Sequence, residues 1–178
     1  IPAVPAISPQ LDAQNKTILV TWTRPSGTYD FRFRRNTTTS TTDQTSYLET
    51  GISSGTTYVY GIRACNSVGQ CSGEATTTVA LAAIPASPSI SASVGTGIIS
   101  VTWSAPAGAT SYQLTRNTVA INSTGNAYTD SAVTAGTTYT YSVKACNTLG
   151  DCSTAGSTTI TYPAVPATPQ LTATLNGA

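Results

Sequence analysis

The sequence predicts an all-β protein built as tandem antiparallel β-sandwiches joined by Pro-rich linkers. Three observations lead there. The stretch GTTYVYGIRACNSVGQCS from Gly55 to Ser72 returns 81 residues later as GTTYTYSVKACNTLGDCS from Gly136 to Ser153. Apolar residues recur at period two in the candidate elements, and no segment shows helical spacing. Short runs separated by Gly and Pro turn signals are the pattern of a sandwich rather than of a helix-crossed parallel sheet.

Taken in order, each unit begins after a Pro-Ala stretch. Ile18, Val20 and Trp22 alternate with Leu19 and Thr21, and Ile99, Val101 and Trp103 alternate with Ser100 and Thr102, so these strands have one buried and one wet face. Pro-Ser-Gly at 25–27 and Pro-Ala-Gly at 106–108 mark the turns that follow. Phe31 with Phe33, and Tyr112 with Leu114, give the next strand its inner face. The segment from Asn36 to Thr42 carries β-branched Thr but nothing to bury, and reads as an exposed edge strand or loop. After Ser54-Gly55 and Ala135-Gly136 come the rows Tyr58, Tyr60, Ile62, Ala64 and Tyr139, Tyr141, Val143, Ala145. From Trp22/Trp103 to Cys71/Cys152 the two copies align without insertion. Matching Pro9 with Pro88 makes the first lead-in two residues shorter than the second, a difference expected in the turn between the first two strands.

Residues 1–82 and 83–162 are thus expected to form two domains. Residues 163–178 repeat the opening (Pro163 to Leu171 against Ala3 to Leu11) and read as a linker followed by the first strand of a truncated third repeat. Proline about every third residue in these connectors favours extended, stiff spacers. The sequence holds no Met and no signal-peptide pattern, so it is expected to be a piece of a longer precursor.

Only 8% of residues are charged, against about 25% in ordinary soluble proteins, and the net charge is +1. That balance gives no electrostatic case for nucleic acid or an anionic membrane. No apolar run reaches the ~18 residues of a membrane span. The only basic cluster, Arg32, Arg34 and Arg35, reads as a solvated strand face, since the first two positions become Gln113 and Thr115 in the other repeat.

Cys65 and Cys71 flank NSVGQ, and Cys146 and Cys152 flank NTLGD, where Asn and Gly suit the positive φ of a hairpin loop. The thiols face each other across the turn, and a disulfide within each repeat is the favoured reading, weighed against free thiols and a metal. Zinc would need four ligands, there is no His, and the two pairs lie in different units. Because Ala64 points inward, Cys65 is expected to point outward as a surface staple. Disulfides imply an oxidising compartment, and hence an extracellular or cell-surface location.

The pairs Trp22 with Pro25 and Trp103 with Pro106, and the runs ISSGTTY (Ile52 to Tyr58) with RACN (Arg63 to Asn66), repeated from Val133 to Tyr139 and Lys144 to Asn147, resemble the fibronectin type III module. The resemblance covers essentially all of both repeats. It implies an immunoglobulin-like sandwich in which Tyr58 and Tyr139 tie a tyrosine corner while Trp22 and Trp103 fill the core. Ser54 and Ala135 replace the Pro usual before the corner glycine, and no Arg-Gly-Asp occurs. The cysteine pairs are uncommon in animal members and are similar to bacterial extracellular versions.

No catalytic residue, metal ligand set or cofactor site emerges. Without His there is no Ser-His-Asp or Cys-His arrangement, and disulfides would consume the thiols. Glu49 and Asp130 occupy equivalent positions beside the corner turn but lack a second carboxylate nearby in sequence, and read as turn-capping acids. Tyr29, Tyr47, Tyr128 and Tyr162 are the aromatics left over for a sugar-stacking platform, with core packing the preferred account. Asn15, Asn36 and Asn122 open sequons that accept N-glycans in a eukaryotic secretory route. The function that follows is a non-catalytic structural or adhesive repeat array: a stalk, an adhesin shaft or the subunit of an extracellular fibre. Its partners would be neighbouring repeats, copies of itself, a surface polysaccharide or a protein ligand. The alternative is an accessory spacer or carbohydrate-binding pair carried by a secreted polysaccharide-degrading enzyme.

Overall fold

In the computed structural model, residues 1–123 and 125–173 are described, and among them every regular element is a β-strand. Contacts divide the chain into two compact units. One takes Ile1–Ser87 with Pro106–Ser111 and Ala145–Thr154; the other takes Pro88–Ala105, Tyr112–Lys144 and the described residues from Ala155 onward.

The first sandwich is formed by β1 (Ile7–Asp12), β2 (Thr17–Trp22), β3 (Asp30–Arg35), β4 (Thr38–Thr42), β5 (Ser46–Thr50), β6 (Thr57–Cys65) and β7 (Ala75–Ala80). Its sheets are β1-β2-β5 and β4-β3-β6-β7, antiparallel throughout. The second is formed by β8 (Ile90–Gly95), β9 (Ile98–Trp103), β10 (Ser111–Arg116), β11 (Val119–Ile121), β12 (Ala127–Asp130), β13 (Thr138–Cys146) and β14 (Gly156–Thr161), paired as β8-β9-β12 and β11-β10-β13-β14. Three strands facing four, with the fourth strand folded back on the third at a sheet edge, is the fibronectin type III form of the immunoglobulin-like sandwich.

Period-two patterning builds both cores. Ile18 and Val20 are fully buried and Trp22 nearly so, while Leu19 between them is 36% exposed. Trp22 stacks on Phe33 with ring centroids 5.1 Å apart and meets Phe31 edge-on. Ile99, Val101, Trp103, Leu114, Tyr141 and Val143 repeat the arrangement. Each fully buried aliphatic or aromatic side chain contributes about 1.5–3 kcal/mol, enough to specify a sandwich that carries few charges. The indole nitrogens of both Trp are buried without a hydrogen-bond partner, so these rings are held by packing alone.

The lead-in reverses the length difference expected from the prolines. Ile7 pairs with Trp22 and Ile90 with Trp103, so the structurally equivalent residues are Ile7 and Ile90. Pro9 lies inside β1 whereas Pro88 precedes β8. The β1–β2 turn, residues 13–16, is therefore the longer by two, against residues 96–97 in the second sandwich. Residues 163–173 form no strand, and the remainder of the expected third-repeat strand lies outside the described residues. No helix among the described residues is long and apolar enough to cross a membrane.

Candidate functional site

Each cysteine pair is bonded within its own hairpin, Cys65 to Cys71 and Cys146 to Cys152, with Cα atoms 4.0 Å apart. Asn66 and Asn147 shape these turns through their side chains. Asn66 Oδ1 accepts the backbone N–H of Val68 and of Gln70, Asn147 Oδ1 accepts those of Leu149 and Asp151, and the positive φ falls on Gly69 and Gly150. Cys65 does not point outward: it is fully buried and Cys146 nearly so, while Cys71 and Cys152 are half-buried, so only one side of each staple reaches the surface. Alternation ends at Ala64 because the chain folds back over the strand end. The Ser72 N–H donates to Ala64 O and the Ala64 N–H to Ser72 Oγ, which brings Cys71 against Cys65 as an isolated β-bridge.

Tyr58 and Tyr139 are buried at the corners, where their hydroxyl oxygens accept the backbone N–H of Ser53 at 3.2 Å and of Thr134 at 2.8 Å. Asn36 and Asn117 hold the β3–β4 and β10–β11 turns. Both adopt positive φ, and each Oδ1 accepts an N–H from the central strand, Val59 and Thr140 respectively. Among the sequons, Asn36 is thus half-buried and structurally engaged. Asn15 is exposed and donates to Asp12, and Asn122 is exposed. The third sequon's closing Thr124 lies outside the described residues.

The acids beside the corners are more than turn caps. Glu49 is 5% exposed and Asp130 fully buried, and each meets an arginine and a tyrosine. Arg35 grips Glu49 with Nε and Nη2, the latter at 2.7 Å, and the Tyr60 hydroxyl lies 3.4 Å away. Arg116 Nη1 stands 2.9 Å from both Asp130 oxygens, and the Tyr141 hydroxyl donates to Oδ2 at 2.6 Å. Asp130 also accepts the Ala132 N–H, so one capping bond survives within a larger buried network. Burial, reinforced by the facing carboxylate, pushes both tyrosine hydroxyls well above the ordinary tyrosine range. These groups act as fixed donors at physiological pH. Among the described residues no three metal-ligating side chains come together.

The arginine face is likewise paired rather than simply solvated. Arg34 Nε donates to Glu74 at 2.9 Å, Arg32 lies 3.0 Å from Asp30, and Arg35 serves Glu49. The Arg34 hydrogen bond holds Glu74 below the usual carboxylate range.

Of the four spare tyrosines, Tyr29 is 69% exposed, while Tyr47, Tyr128 and Tyr162 pack half-buried against the cores. Tyr162 also accepts the Gly97 N–H at 2.8 Å. Tyr47 borders an open cleft of about 450 Å³ between β4 and β5, the free edges of the two sheets. Its floor is Trp22, Phe33 and Tyr47; its rim is Arg35, Thr38, Ser40, Thr42 and Ser46. The register sets Thr38 beside Arg35, Ser40 beside Phe33 and Thr42 beside Phe31, so these hydroxyls line the inner face of β4. In the second sandwich the corresponding space is divided: Arg116, Asn117, Val119, Ile121 and Tyr128 line a recess of about 250 Å³ with an aliphatic wall, and Leu114, Ile121 and Ser123 border another of about 490 Å³.

No family model matches the chain. Exoglucanase B of Cellulomonas fimi is 28% identical over 178 aligned positions, which take in 86% of this chain and 16% of the exoglucanase. The amylopullulanase of Thermoanaerobacterium saccharolyticum is 36% identical over 83 positions, 42% of this chain and 6% of that enzyme. The chain therefore spans under one fifth of either relative. Among solved structures, a two-domain fibronectin type III segment of chicken tenascin covers 88% of this chain and 97% of its own at 18% identity and TM-score 0.42. The central fibronectin III array of RIM-binding protein covers 94% and 72% at 20% identity and TM-score 0.38.

Proposed function

We propose that this chain is a pair of non-catalytic accessory modules of a secreted polysaccharide-degrading enzyme, serving to space that enzyme and hold it on its substrate. The observation that carries this reading is the alignment of 86% of the chain with a 16% portion of an exoglucanase. A portion so small fits a repeat appended to a catalytic domain. The amylopullulanase match points the same way. Disulfides in both sandwiches suit an extracellular setting, and the buried acids are each occupied by Arg and Tyr rather than arranged as a glycosidase pair.

A second reading, a stalk or fibre array, is favoured by tandem near-copies on Pro-rich connectors with only 8% charged residues. Sedimentation of the chain with insoluble cellulose, starch and chitin separates the two. Retention on one of them supports the accessory reading. Absence of retention, together with regular filaments in electron micrographs, supports the array.

A further inference from the structure

The cleft between β4 and β5 of the first sandwich has the chemistry of a saccharide site, and we propose that it binds a short stretch of neutral polysaccharide. An edge strand that covers a hydrophobic core is expected to turn apolar residues inward, as β11 does with Ile121, which packs partly buried against the second core. The inner face of β4 instead carries Thr38, Ser40 and Thr42. Among the described residues, the hydroxyls of Thr38 and Ser40 have no hydrogen-bond partner in the protein, while Thr42 Oγ1 accepts only the Gln44 N–H. Facing them, Phe33 and Tyr47 pack ring against ring with centroids 4.8 Å apart. Trp22 and Phe33 are nearly buried and stacked on each other, so the ring the floor offers is the half-buried Tyr47. An aromatic beneath a row of free hydroxyls matches the two sides of a sugar, whose ring C–H face settles on the aromatic while its hydroxyls take hydrogen bonds.

Two further observations narrow the ligand. Arg35, the one charged side chain on the rim, is neutralised by Glu49, so the cleft offers no net charge to an anionic polymer. Its volume, about 450 Å³, lies within the roughly 300–1,000 Å³ range of small-molecule sites. The second sandwich supplies a contrast, because Leu114 and Ile121 stand where the first has Phe33 and Ser40, and the space there is divided into a recess of about 250 Å³ at Arg116, Val119 and Tyr128 and one of about 490 Å³ along Leu114 and Ser123. An extended peptide pairing with the open edge of β4 is the competing occupant, and titration separates the two. The neutral-saccharide class rests on the cleft; the choice of a glucan as probe rests on the accessory-module reading above.

The test is titration of the isotope-labelled chain with cellohexaose and with maltohexaose, followed by backbone amide shifts. We expect perturbations concentrated at Phe33, Ser40, Thr42 and Tyr47 for at least one sugar. A Thr38→Val/Ser40→Ile variant, which carries the second sandwich's residues at the same strand positions, should keep its far-UV spectrum and bind at least about tenfold more weakly. Unchanged affinity in that variant, or perturbations elsewhere, would overturn the site while leaving the accessory reading standing. Failure of both sugars to bind overturns the site as well; sedimentation with insoluble polysaccharide then decides the accessory reading separately. Binding of an extended Thr/Val-rich peptide at the same amides, with no response to either sugar, would replace the saccharide assignment.

Discussion

Asp130 is fully buried with both carboxylate oxygens 2.9 Å from one nitrogen of Arg116, and Arg35 grips Glu49 at the same place in the other sandwich. Removing one partner of such a pair leaves an uncompensated charge out of water, which typically costs about 3–5 kcal/mol, whereas replacing both with apolar groups is often close to neutral. Arg116→Met should therefore destabilise the second sandwich by about 3 kcal/mol, and Arg116→Met/Asp130→Leu should recover most of that loss. Each sandwich holds one Trp, so urea unfolding in a Trp22→Phe background reports on Trp103 alone. A double variant no more stable than Arg116→Met would show that the network's cost lies elsewhere.

Much of this architecture is legible in the sequence. Period-two rows place Ile18, Val20, Trp22 and their counterparts in the cores, and the corner tyrosines and hairpin cysteines stand at repeated positions. The buried networks were equally present, since Arg35/Arg116 and Glu49/Asp130 both recur 81 residues apart. Read along one strand, Arg35 merges with Arg32 and Arg34 on the outer face; read by alternation, it falls on the inner side with Phe31 and Phe33. The burial of Cys65 was not legible, because it depends on Ser72 folding back over the strand end. The Pro9–Pro88 match misled since proline marks an extended segment without fixing where a strand begins. The hydroxyl face of β4 was visible as a run of Thr, but only the register shows that Thr38, Ser40 and Thr42 share the side of Phe31 and Phe33.

The Arg34–Glu74 pair gives the first sandwich an acid-sensitive component. Glu74 is held below its ordinary value of 4.5, chiefly by the Arg34 hydrogen bond. A carboxylate depressed in the folded state contributes stability that is fully present above its unfolded value and is lost as pH falls through its folded one. The urea midpoint of the first sandwich, read from Trp22 in a Trp103→Phe background, should fall below about pH 4.5, and Arg34→Gln should flatten that part of the profile. An identical slope in Arg34→Gln would remove the pair from the explanation. Gly61 permits this pair, since a Cβ there would stand 2.8 Å from Glu74 Cδ. In the second sandwich the three positions are Thr115, Ser142 and Ala155, and Ser142 instead shares a hydroxyl contact of 3.0 Å with Ser157.

Gly156 opens β14 where the backbone of β8's lead-in passes closest. A Cβ at this position would fall on the Pro88 carbonyl oxygen, which is main chain and has little freedom to retreat. Gly156→Ala should cost about 1–3 kcal/mol, as overpacking does in a closed core. The equivalent residue of the first sandwich is Ala75, so Ala75→Gly should cost only about 0.5–1 kcal/mol, the usual penalty of glycine in a strand. Equal and small effects at both positions would mean that β8 yields to the added methyl.

The disulfides are best tested in pairs, because a single substitution would leave a lone thiol, fully buried where it is Cys65. Intact mass should rise by about four hydrogens on full reduction if both bonds form, and no change would defeat the pairing. Cys65→Ala/Cys71→Ser removes the cross-link, and by chain entropy the short loop it closes is worth about 2 kcal/mol, acting mainly on the unfolded ensemble. The folded hairpin has its own support: Asn66 Oδ1 still accepts the Val68 and Gln70 N–H groups, and Ser72 still meets Ala64. The variant should therefore keep its native far-UV spectrum while its urea midpoint falls. If the spectrum collapsed instead, the bond would be required to form the hairpin rather than merely to restrain its unfolded state. Because Cys65 is fully buried whereas Cys71 is half-buried, reductant should reach the bond only from the Cys71 side. Reduction of the folded chain should then be much slower than reduction in urea, and equal rates would contradict the burial of Cys65.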